Sequence, residues 1–376
     1  MFEKIISKNV VNTGRQPEAD IMKAFVLLNL AIIHVYVECS TAEELFYGLR
    51  YFFDSIIGGP FAAPFFMFSM GLGLAYTKKD SAEDLFRRGR DMLFIGIAHN
   101  VCRYLIPSLI GYVITKDADF YLARLPYRFF SNDILQFATL AFFTMGLLKK
   151  FKLSIKWIWV ISVIMMFIAL PFNGLYFDNH AINIILGFFI GTENPPGEPV
   201  IYTDFPLFIW FFIYASGSLF GELLKRVKDK KKFYAIVTPP CLIIFWATII
   251  HQFVYEYGMM MGPGDNVFYH MNPYEALVCN LNSIACLGLC FFLSRILPGK
   301  IQDIANHISR NINVIYFIQW VLVFWTVDLI IYVITGSTHL DQIPALIVGI
   351  ILSILTVILS DVWVNLRRRI SNEKKI

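Results

Sequence analysis

The sequence predicts an all-α polytopic membrane protein with about ten transmembrane helices and with both termini in the cytoplasm. Of its 376 residues, 57% are hydrophobic and only 16% are charged, whereas a soluble domain has about 45–50% apolar and about 25% charged residues. The apolar segments are spaced along the whole chain. This distribution predicts one membrane domain over residues 1–376 and no separate soluble domain.

Ten segments are apolar over the roughly 20 residues that a helix needs to cross a bilayer. In chain order they are 21–38, 56–76, 92–114, 132–148, 154–172, 205–224, 234–254, 275–297, 311–334 and 342–364. Residues 1–20 are then a cytoplasmic segment, and 365–376 form a basic cytoplasmic tail. The first span lacks small residues suited to signal cleavage, so we expect it to be retained. The shorter run 182–190 predicts a re-entrant or interfacial segment, or part of an eleventh span.

The distribution of basic residues predicts the orientation, because cytoplasmic segments are enriched in Lys and Arg. With the N-terminus inside, nearly all of the 32 Lys and Arg residues lie in the inner segments. The exceptions are Arg50, Lys116, Arg124 and Arg128 in outer loops and Arg103 within a span. The outer loops 173–204 and 255–274 contain no Lys or Arg and are rich in turn residues, and loops of that length are often functional.

Several classes of site are not indicated by the sequence. The six cysteines form no CxxC pair, and most lie in apolar runs, which is typical of small buried side chains. We therefore predict neither a disulfide framework nor a metal site. There is no Walker loop, GxSxG or HExxH pattern, and no nucleic-acid partner is expected.

The first span holds the most informative ionisable residues, which are costly at membrane depth and therefore candidates for function. Lys23 and His34 are 11 residues apart, close to three helical turns, so both lie on one face about 16 Å apart. Glu38 follows His34 at i+4, where a carboxylate can fix the imidazole tautomer and raise its basicity.

This arrangement suits an acyl-CoA, in which an extended arm joins a phosphorylated head to a reactive thioester. Lys23 would hold phosphate at the cytoplasmic end, and His34 would transfer a proton deeper in the membrane. The alternatives are an ordinary membrane-edge lysine and a histidine that bonds a neighbouring helix. His99 and Arg103 share a face of the third span, and we predict that both bind the acyl-CoA, with Arg103 contacting a phosphate or carbonyl. The alternative is that Arg103 pairs with a structural carboxylate.

Further polar residues lie in the outer halves of other spans, where we expect an acceptor to bind. Asp133 and Gln136 open the fourth span, His251 lies in the seventh, and Gln319 lies in the tenth. Helix–helix hydrogen bonding is the alternative role for the amides. Five of the seven histidines are on outer halves or outside, which favours chemistry on the far side of the membrane.

The chain resembles the transmembrane acyltransferases, which comprise the acyltransferase-3 family and the heparan-α-glucosaminide N-acetyltransferase-like proteins. The first-helix signature of these proteins is Asp-x-x-Arg, followed ten residues later by His. The stretches that carry the resemblance are Asp20-x-x-Lys23-x10-His34, Pro64 to Gly71, Arg87-Arg88-Gly-Arg90, Asp133-Ile-Leu-Gln136 and Phe205 to Gly221. They touch most of the chain, and the first two spans are the most specific part.

The resemblance implies transfer of an acyl group, usually acetyl, from cytoplasmic acyl-CoA to a sugar or cell-envelope polymer. It implies a catalytic role for His34. It also implies that Lys23 and one or more of Arg87, Arg88 or Arg90 help to hold the CoA phosphates. Two positions depart from the family pattern. Lys23 replaces an arginine and loses its bidentate geometry, and Gln319 stands where many relatives carry His.

The leading hypothesis is therefore an acyl-CoA-dependent O- or N-acyltransferase that modifies carbohydrate in the cell envelope. A multi-span transporter or lipid flippase is the second hypothesis, and a non-catalytic sensor or partner subunit is the third. The expected partners are membrane lipids, acyl-CoA and a glycan or envelope polymer, with a homodimer left open. The composition, rich in Lys, Ile and Phe, favours a bacterial plasma membrane.

Overall fold

The computed structural model describes residues 5–40, 48–195, 203–255 and 269–373, with side chains up to residue 370. The described residues are mostly helical and form no β-sheet. Nine of their helices are long and apolar enough to cross a membrane. Residues 196–202 and 256–268, in the two outer loops predicted to be functional, lie outside these ranges.

Twelve helices define the architecture of the described residues. They are α1 Pro17–Cys39, α2 Gly48–Tyr76, α3 Ala82–Thr115, α4 Ile134–Lys150, α5 Ile155–Phe172, α6 His180–Ile190, α7 Leu207–Leu224, α8 Lys230–Val254, α9 Pro273–Ser294, α10 Gly299–Arg310, α11 Ile312–Thr335 and α12 Gln342–Glu373. The helices α2, α3 and α11 each contain a π-helical segment, at Phe52–Gly58, Val101–Leu105 and Trp325–Ile331 respectively. Two single-turn helices, Ala118–Tyr121 and Leu125–Phe129, connect α3 to α4.

The ten predicted spans correspond to these helices with α6 and α10 left out. The span at 132–148 is α4, whose 17 residues are at the short end of what can cross a bilayer, about 17–25. The run 182–190 lies within α6, whose 11 residues reach only about 16 Å. It is therefore too short to be an eleventh span by itself.

Side chains at the helix ends satisfy backbone groups that have no partner within the helix. α1 begins at a proline and carries Glu18 and Asp20 in its first turn, where acidic groups favour the helix dipole. Asp133 caps α4 by accepting the amide of Ile134 at 2.6 Å. Asn272 and Glu275 form a reciprocal capping box at the start of α9.

The outer surface of the bundle is strongly apolar. Large side chains on several helices are exposed, such as Phe94 at 63%, Ile243 at 68% and Ile354 at 56%. A contiguous apolar surface of this extent is unfavourable in water but suits a lipid environment. The fold is therefore that of an all-α, multi-pass membrane protein.

Helices α2 and α7 approach so closely that their contact requires glycine. A Cβ atom at Gly71 would lie 2.0 Å from the carbonyl oxygen of Tyr214, and one at Gly217 would lie 2.0 Å from that of Phe68. Small residues at such contacts let helix backbones pack together within a membrane. This contact involves the Pro64 to Gly71 and Phe205 to Gly221 stretches that carried the resemblance.

Helix α12 packs antiparallel against α1, so the start of α1 and the end of α12 lie at the same end of the bundle. The hydroxyl of Tyr36, late in α1, donates to the carbonyl of Gln342 at the start of α12, at 2.7 Å. Farther along α12 and earlier in α1, the hydroxyl of Ser353 donates to the carbonyl of Leu28. This pairing encloses much of α1, the helix that carries His34 and Lys23, within the bundle.

Candidate functional site

The imidazole of His34 is held between two adjacent residues of α11. Its Nδ1 atom lies 3.1 Å from Oε1 and 2.7 Å from Nε2 of Gln319. Its ring stacks on that of Trp320, with centroids 3.5 Å apart and an angle of 15° between the planes. His34 is partly exposed, and its Nε2 atom has no partner among the described residues and is not one of the enclosed polar atoms. That nitrogen therefore faces accessible space.

A polar network on the far side of Trp320 fixes the position of this ring. Trp320 donates its indole N–H to the hydroxyl of Tyr316 at 2.9 Å, and Tyr316 donates to Oδ1 of Asp133 at 2.5 Å. The other oxygen of Asp133 pairs with the guanidinium of Arg103. Arg103 lies over the Trp320 ring, 5.2 Å from its centroid. Together with His34, these residues link α1, α3, α4 and α11, and we call them the His34 cluster.

Arg103 is one of the most enclosed side chains, with 1% exposure. Besides Asp133, it donates to Oγ of Ser131 at 3.0 Å and to Oδ1 of Asn100 at 3.1 Å. All three nitrogens of the guanidinium are thus engaged with side chains. The residue lies in the π-helical segment of α3, and such segments occur often at functional sites. Of the two predicted roles for Arg103, the structure supports pairing with a carboxylate.

Glu38 does not form the predicted pair with His34. Its carboxylate lies 3.9 Å from the guanidinium of Arg128, which also pairs closely with Asp328 of α11. The physical reason is that an oppositely charged group competes better for a carboxylate than a neutral imidazole does. Gln319 takes the place next to Nδ1 instead, so a residue predicted to bind substrate is the direct partner of the histidine.

His99 and Gln136 lie inside the bundle between α3, α4 and α11. His99 is fully buried, and both of its ring nitrogens lack hydrogen-bond partners among the described residues. Its ring packs against Phe317 at 4.9 Å and Tyr316 at 5.8 Å. Gln136 donates to the carbonyl of Gly96 at 3.4 Å, and its own carbonyl oxygen is enclosed without a partner. A role for either residue in binding remains a prediction.

Lys23 is partly buried, and within the described ranges its ammonium has no hydrogen bond or ion pair and is not enclosed. The predicted phosphate-binding arginines lie at the same end of the bundle, in the first turns of α3. Arg87 pairs with Asp84, Arg88 donates to the hydroxyl of Thr77 at 3.0 Å, and Arg90 pairs with Asp91 at 3.0 Å. Of the residues predicted to bind phosphate, Lys23 is therefore the one whose charged group has no partner among the described residues. It also lies on the face of α1 that carries His34.

His251 is placed on an exposed face of α8, where its ring packs against Tyr255 at 4.8 Å. The structure does not bring it into the His34 cluster. Its predicted role in binding substrate remains a prediction without support from this arrangement.

Two aromatic residues of the cluster, Tyr316 and Trp320, were missed by the sequence analysis. Tyr316 and Trp320 are four residues apart on α11, with Gln319 between them in sequence. This spacing places both aromatic residues on the face that meets His34. A signal was present in the sequence, because these aromatic residues accompany the glutamine that was already singled out. Aromatic residues are so frequent here, at 16%, that this signal was not distinctive.

Asp204 is a third missed residue, at the end of an outer loop just before α7. The adjacent Phe205 donates its backbone amide to the carbonyl of Asn132 at 3.3 Å and accepts from the Asn132 side chain at 2.9 Å. This bonding holds Asp204 beside the segment that carries Asp133. Asp204 is partly exposed and makes no hydrogen bond or ion pair within the described part of the chain.

The surroundings of Asp204 raise its pKa to about 8, from an ordinary value of about 3.9. The main cause is packing that keeps water from the carboxyl group, followed by the nearby negative charge of Asp133, while Arg103 opposes the shift. Asp204 is therefore largely protonated at neutral pH and can donate as well as accept a hydrogen bond.

We expect Asp204→Asn to remove a pH-dependent part of the stability. Because the folded protein binds this proton more tightly than the unfolded chain, the contribution of Asp204 to stability falls as pH rises from about 4 to about 8 and is constant above. The stability difference between wild type and Asp204→Asn should change across this range, as measured by the unfolding midpoint in detergent. The exposed Asp178→Asn is the control. A difference that is constant between pH 4 and 8 would contradict the assignment.

The fold and the cluster define a class: a multi-pass helical membrane protein with an accessible imidazole nitrogen inside its bundle. The chain belongs to the acyltransferase-3 family, because residues 16–362 match the family model, which is described as an acyltransferase domain. Neither the curated proteins nor the solved structures include a match to this chain. The predicted family is thereby confirmed, and the protein is a membrane acyltransferase.

Proposed function

We propose that the protein transfers an acyl group, in the simplest case acetyl, from cytoplasmic acyl-CoA to a hydroxyl or amine of a sugar or cell-envelope acceptor across the membrane. The observation that carries this proposal is the pair of unpartnered groups on one face of α1. The ammonium of Lys23 and the Nε2 atom of His34 are 11 residues apart, or about 16 Å along the helix. A donor whose phosphates and thioester are joined by an extended arm suits two such groups.

In the proposed reaction, His34 acts as the general base. We assign the proton to Nδ1 and orient the Gln319 amide so that its Oε1 accepts this proton, which leaves the lone pair on Nε2. Nε2 takes the proton from the acceptor hydroxyl or amine as that atom attacks the thioester carbonyl carbon. The carbon–sulfur bond then breaks, and the imidazolium returns the proton to the sulfur to give free CoA thiol. In the alternative route, Nε2 attacks the thioester carbonyl carbon and CoA leaves as the thiolate. The acceptor then attacks the acyl-imidazolium, the bond to Nε2 breaks, and the acceptor's proton passes to the thiolate to give free CoA thiol.

Stacking on Trp320 supports this role by limiting rotation of the imidazole. The pair formed by Arg103 and Asp133 holds Trp320 through Tyr316 and through the cation–π contact. A reacting group held in one orientation removes part of the entropic cost of reaction. We assign these residues to positioning rather than to binding of the CoA phosphates.

The orientation of the molecule is also part of the proposal. The end that carries Lys23 faces the cytoplasm, because the short loops at that end hold most of the basic residues. The end that carries Asp204 and Glu38 then faces outward, and the protonated carboxyl of Asp204 is suited to contact an acceptor hydroxyl. A bacterial plasma membrane is the proposed location, with carbohydrate of the envelope as acceptor.

The test is thermal stabilisation of the purified protein by a panel of acyl-CoAs, with acetyl-CoA first. A ligand that binds only the folded state raises the unfolding midpoint, and the increase depends on the ratio of ligand concentration to Kd. We expect acyl-CoA to stabilise the wild type. In Lys23→Gln the affinity derived from the concentration dependence should be roughly 10- to 100-fold lower, which corresponds to the loss of one hydrogen bond to a charged group.

Lys79→Gln is the matched control, since Lys79 is an exposed lysine at the same end of the bundle. An unchanged response in Lys23→Gln would remove the role assigned to Lys23. Absence of stabilisation by every acyl-CoA in the wild type would remove the proposed donor.

A further inference from the structure

A cavity separate from the His34 cluster lies between α2, α5, α7 and α9. Its volume is about 930 Å³, at the upper end of the roughly 300–1,000 Å³ typical of ligand pockets. Its walls are largely apolar, with Phe212, Leu219 and Leu281 among them. None of the residues of the His34 cluster lines it.

The depth of this cavity matches one leaflet of a bilayer. Along α7 it extends from Leu223 to Phe212, which are 11 residues apart and therefore separated by about 16 Å. The hydrocarbon core of a bilayer is about 30 Å thick, so one leaflet contributes about half of that. The cavity thus reaches from one end of the bundle to near the middle of the membrane.

Three cations from separate segments lie at the mouth of the cavity. They are Lys8 of the N-terminal segment, Lys156 at the start of α5, and Arg226 just after α7. The amide of Ser7 donates to the carbonyl of Arg226 at 2.7 Å, which places Lys8 beside Arg226. None of the three cationic groups has a hydrogen bond or ion pair within the described residues.

The carboxylates that line the cavity do not neutralise these cations. Asp80 pairs with Lys149 at 2.9 Å, and Glu222 pairs with Lys225 at 2.8 Å. The mouth therefore keeps an excess of positive charge next to an apolar space. A ligand that complements it has an anionic group at one end and a hydrocarbon chain at the other.

We propose that this cavity is a binding site for an anionic phospholipid of the leaflet on the N-terminal side. The phosphate lies between Lys8, Lys156 and Arg226, and an acyl chain runs along α7 past Leu219 to Phe212. The site is separate from the proposed acyl transfer, because it shares no residue with the His34 cluster or with Lys23.

The experiment measures the unfolding midpoint of the full-length protein in phosphatidylcholine bilayers that contain increasing fractions of phosphatidylglycerol. We expect phosphatidylglycerol to stabilise the wild type. The affinity for phosphatidylglycerol should be on the order of 100-fold lower in Lys8→Gln/Lys156→Gln/Arg226→Gln, since each basic residue near an anionic surface contributes several-fold in affinity. This variant should therefore show no saturation over the fractions that saturate the wild type. Native mass spectrometry should show phosphatidylglycerol retained by the wild type and lost from the triple variant.

The matched control is Lys78→Gln/Lys79→Gln/Lys150→Gln, which removes three exposed lysines at the same end of the bundle but outside the cavity. This variant should respond like the wild type. An equal loss in both triple variants would indicate diffuse attraction to the membrane and would overturn the site.

Leu281→Trp provides an independent test, because it fills the cavity without changing charge and remains informative if the triple variant fails to insert. Leu281→Trp should also lower the affinity for phosphatidylglycerol, as derived from the unfolding midpoint, by tenfold or more. An unchanged affinity would overturn the proposal. Stabilisation of the same size by inorganic phosphate or by free CoA, lost in the cavity triple variant, would assign the cations to a soluble phosphate ligand instead.

Discussion

Replacing His34 by Asn is expected to lower the rate of acyl transfer by about 10²- to 10⁴-fold, the usual contribution of a positioned acid–base group. Asparagine can still hydrogen-bond to Gln319 but offers no basic nitrogen toward the accessible space. The measurement is incorporation of labelled acetyl groups from acetyl-CoA into the carbohydrate fraction of expressing cells. Membrane insertion is checked in parallel by the amount of folded protein recovered.

The matched control is His307→Asn, because His307 is an exposed histidine at the opposite end of the bundle that pairs with Asp361 at 2.6 Å. It should transfer acyl groups at close to the wild-type rate. His34→Asn should still be stabilised by acetyl-CoA, since the phosphate contacts assigned to Lys23 are intact. Transfer by His34→Asn at the wild-type rate would exclude His34 as base or nucleophile.

Removal of the Arg103 side chain should have the largest effect on stability. Arg103→Met leaves the carboxylate of Asp133 buried without its charge partner, and breaking a buried ion pair in this way costs about 3–5 kcal/mol. The free energy of unfolding in mixed micelles is the quantity to measure. Activity should fall as well, because Trp320 and the stacked His34 lose part of their support.

A second substitution separates loss of the charge pair from loss of packing. In Arg103→Met/Asp133→Asn, the uncompensated charge is gone, while the asparagine can still cap α4 and accept from Tyr316. We expect the double variant to be more stable than Arg103→Met alone. Lys232→Met, which breaks an exposed pair with Asp229, should cost far less stability than Arg103→Met. Equal losses for Arg103→Met and the double variant would show that packing, not charge, dominates.

Much of the fold could be predicted from local features of the sequence. Each span is a run of about 20 apolar residues, and the low dielectric of the bilayer requires such a run to be helical. Each predicted segment therefore lies largely within one helix, although α2, α3 and α12 extend several residues beyond the predicted bounds. The common face of Lys23 and His34 is equally local, since it follows from the helical period alone.

The neighbours of those residues depended on the tertiary structure. His34 meets Gln319, 285 residues later in the chain, and Arg103 meets Asp133 across two helices. Glu38 is close to His34 in sequence and lies on the same predicted helix face, but it pairs with Arg128 instead. Asp204 joins the surroundings of the cluster through its loop.

The sequence by itself determined that the protein spans the membrane many times, that it resembles an acyltransferase, and that one helix carries an ammonium and an imidazole three turns apart. Only the tertiary structure decided which side chains surround that imidazole and which cations meet at the mouth of the cavity between α2, α5, α7 and α9. The physical reason is that hydropathy and helical period act within a segment. The choice of neighbouring helix depends on how whole surfaces pack, and neither pattern contains that information.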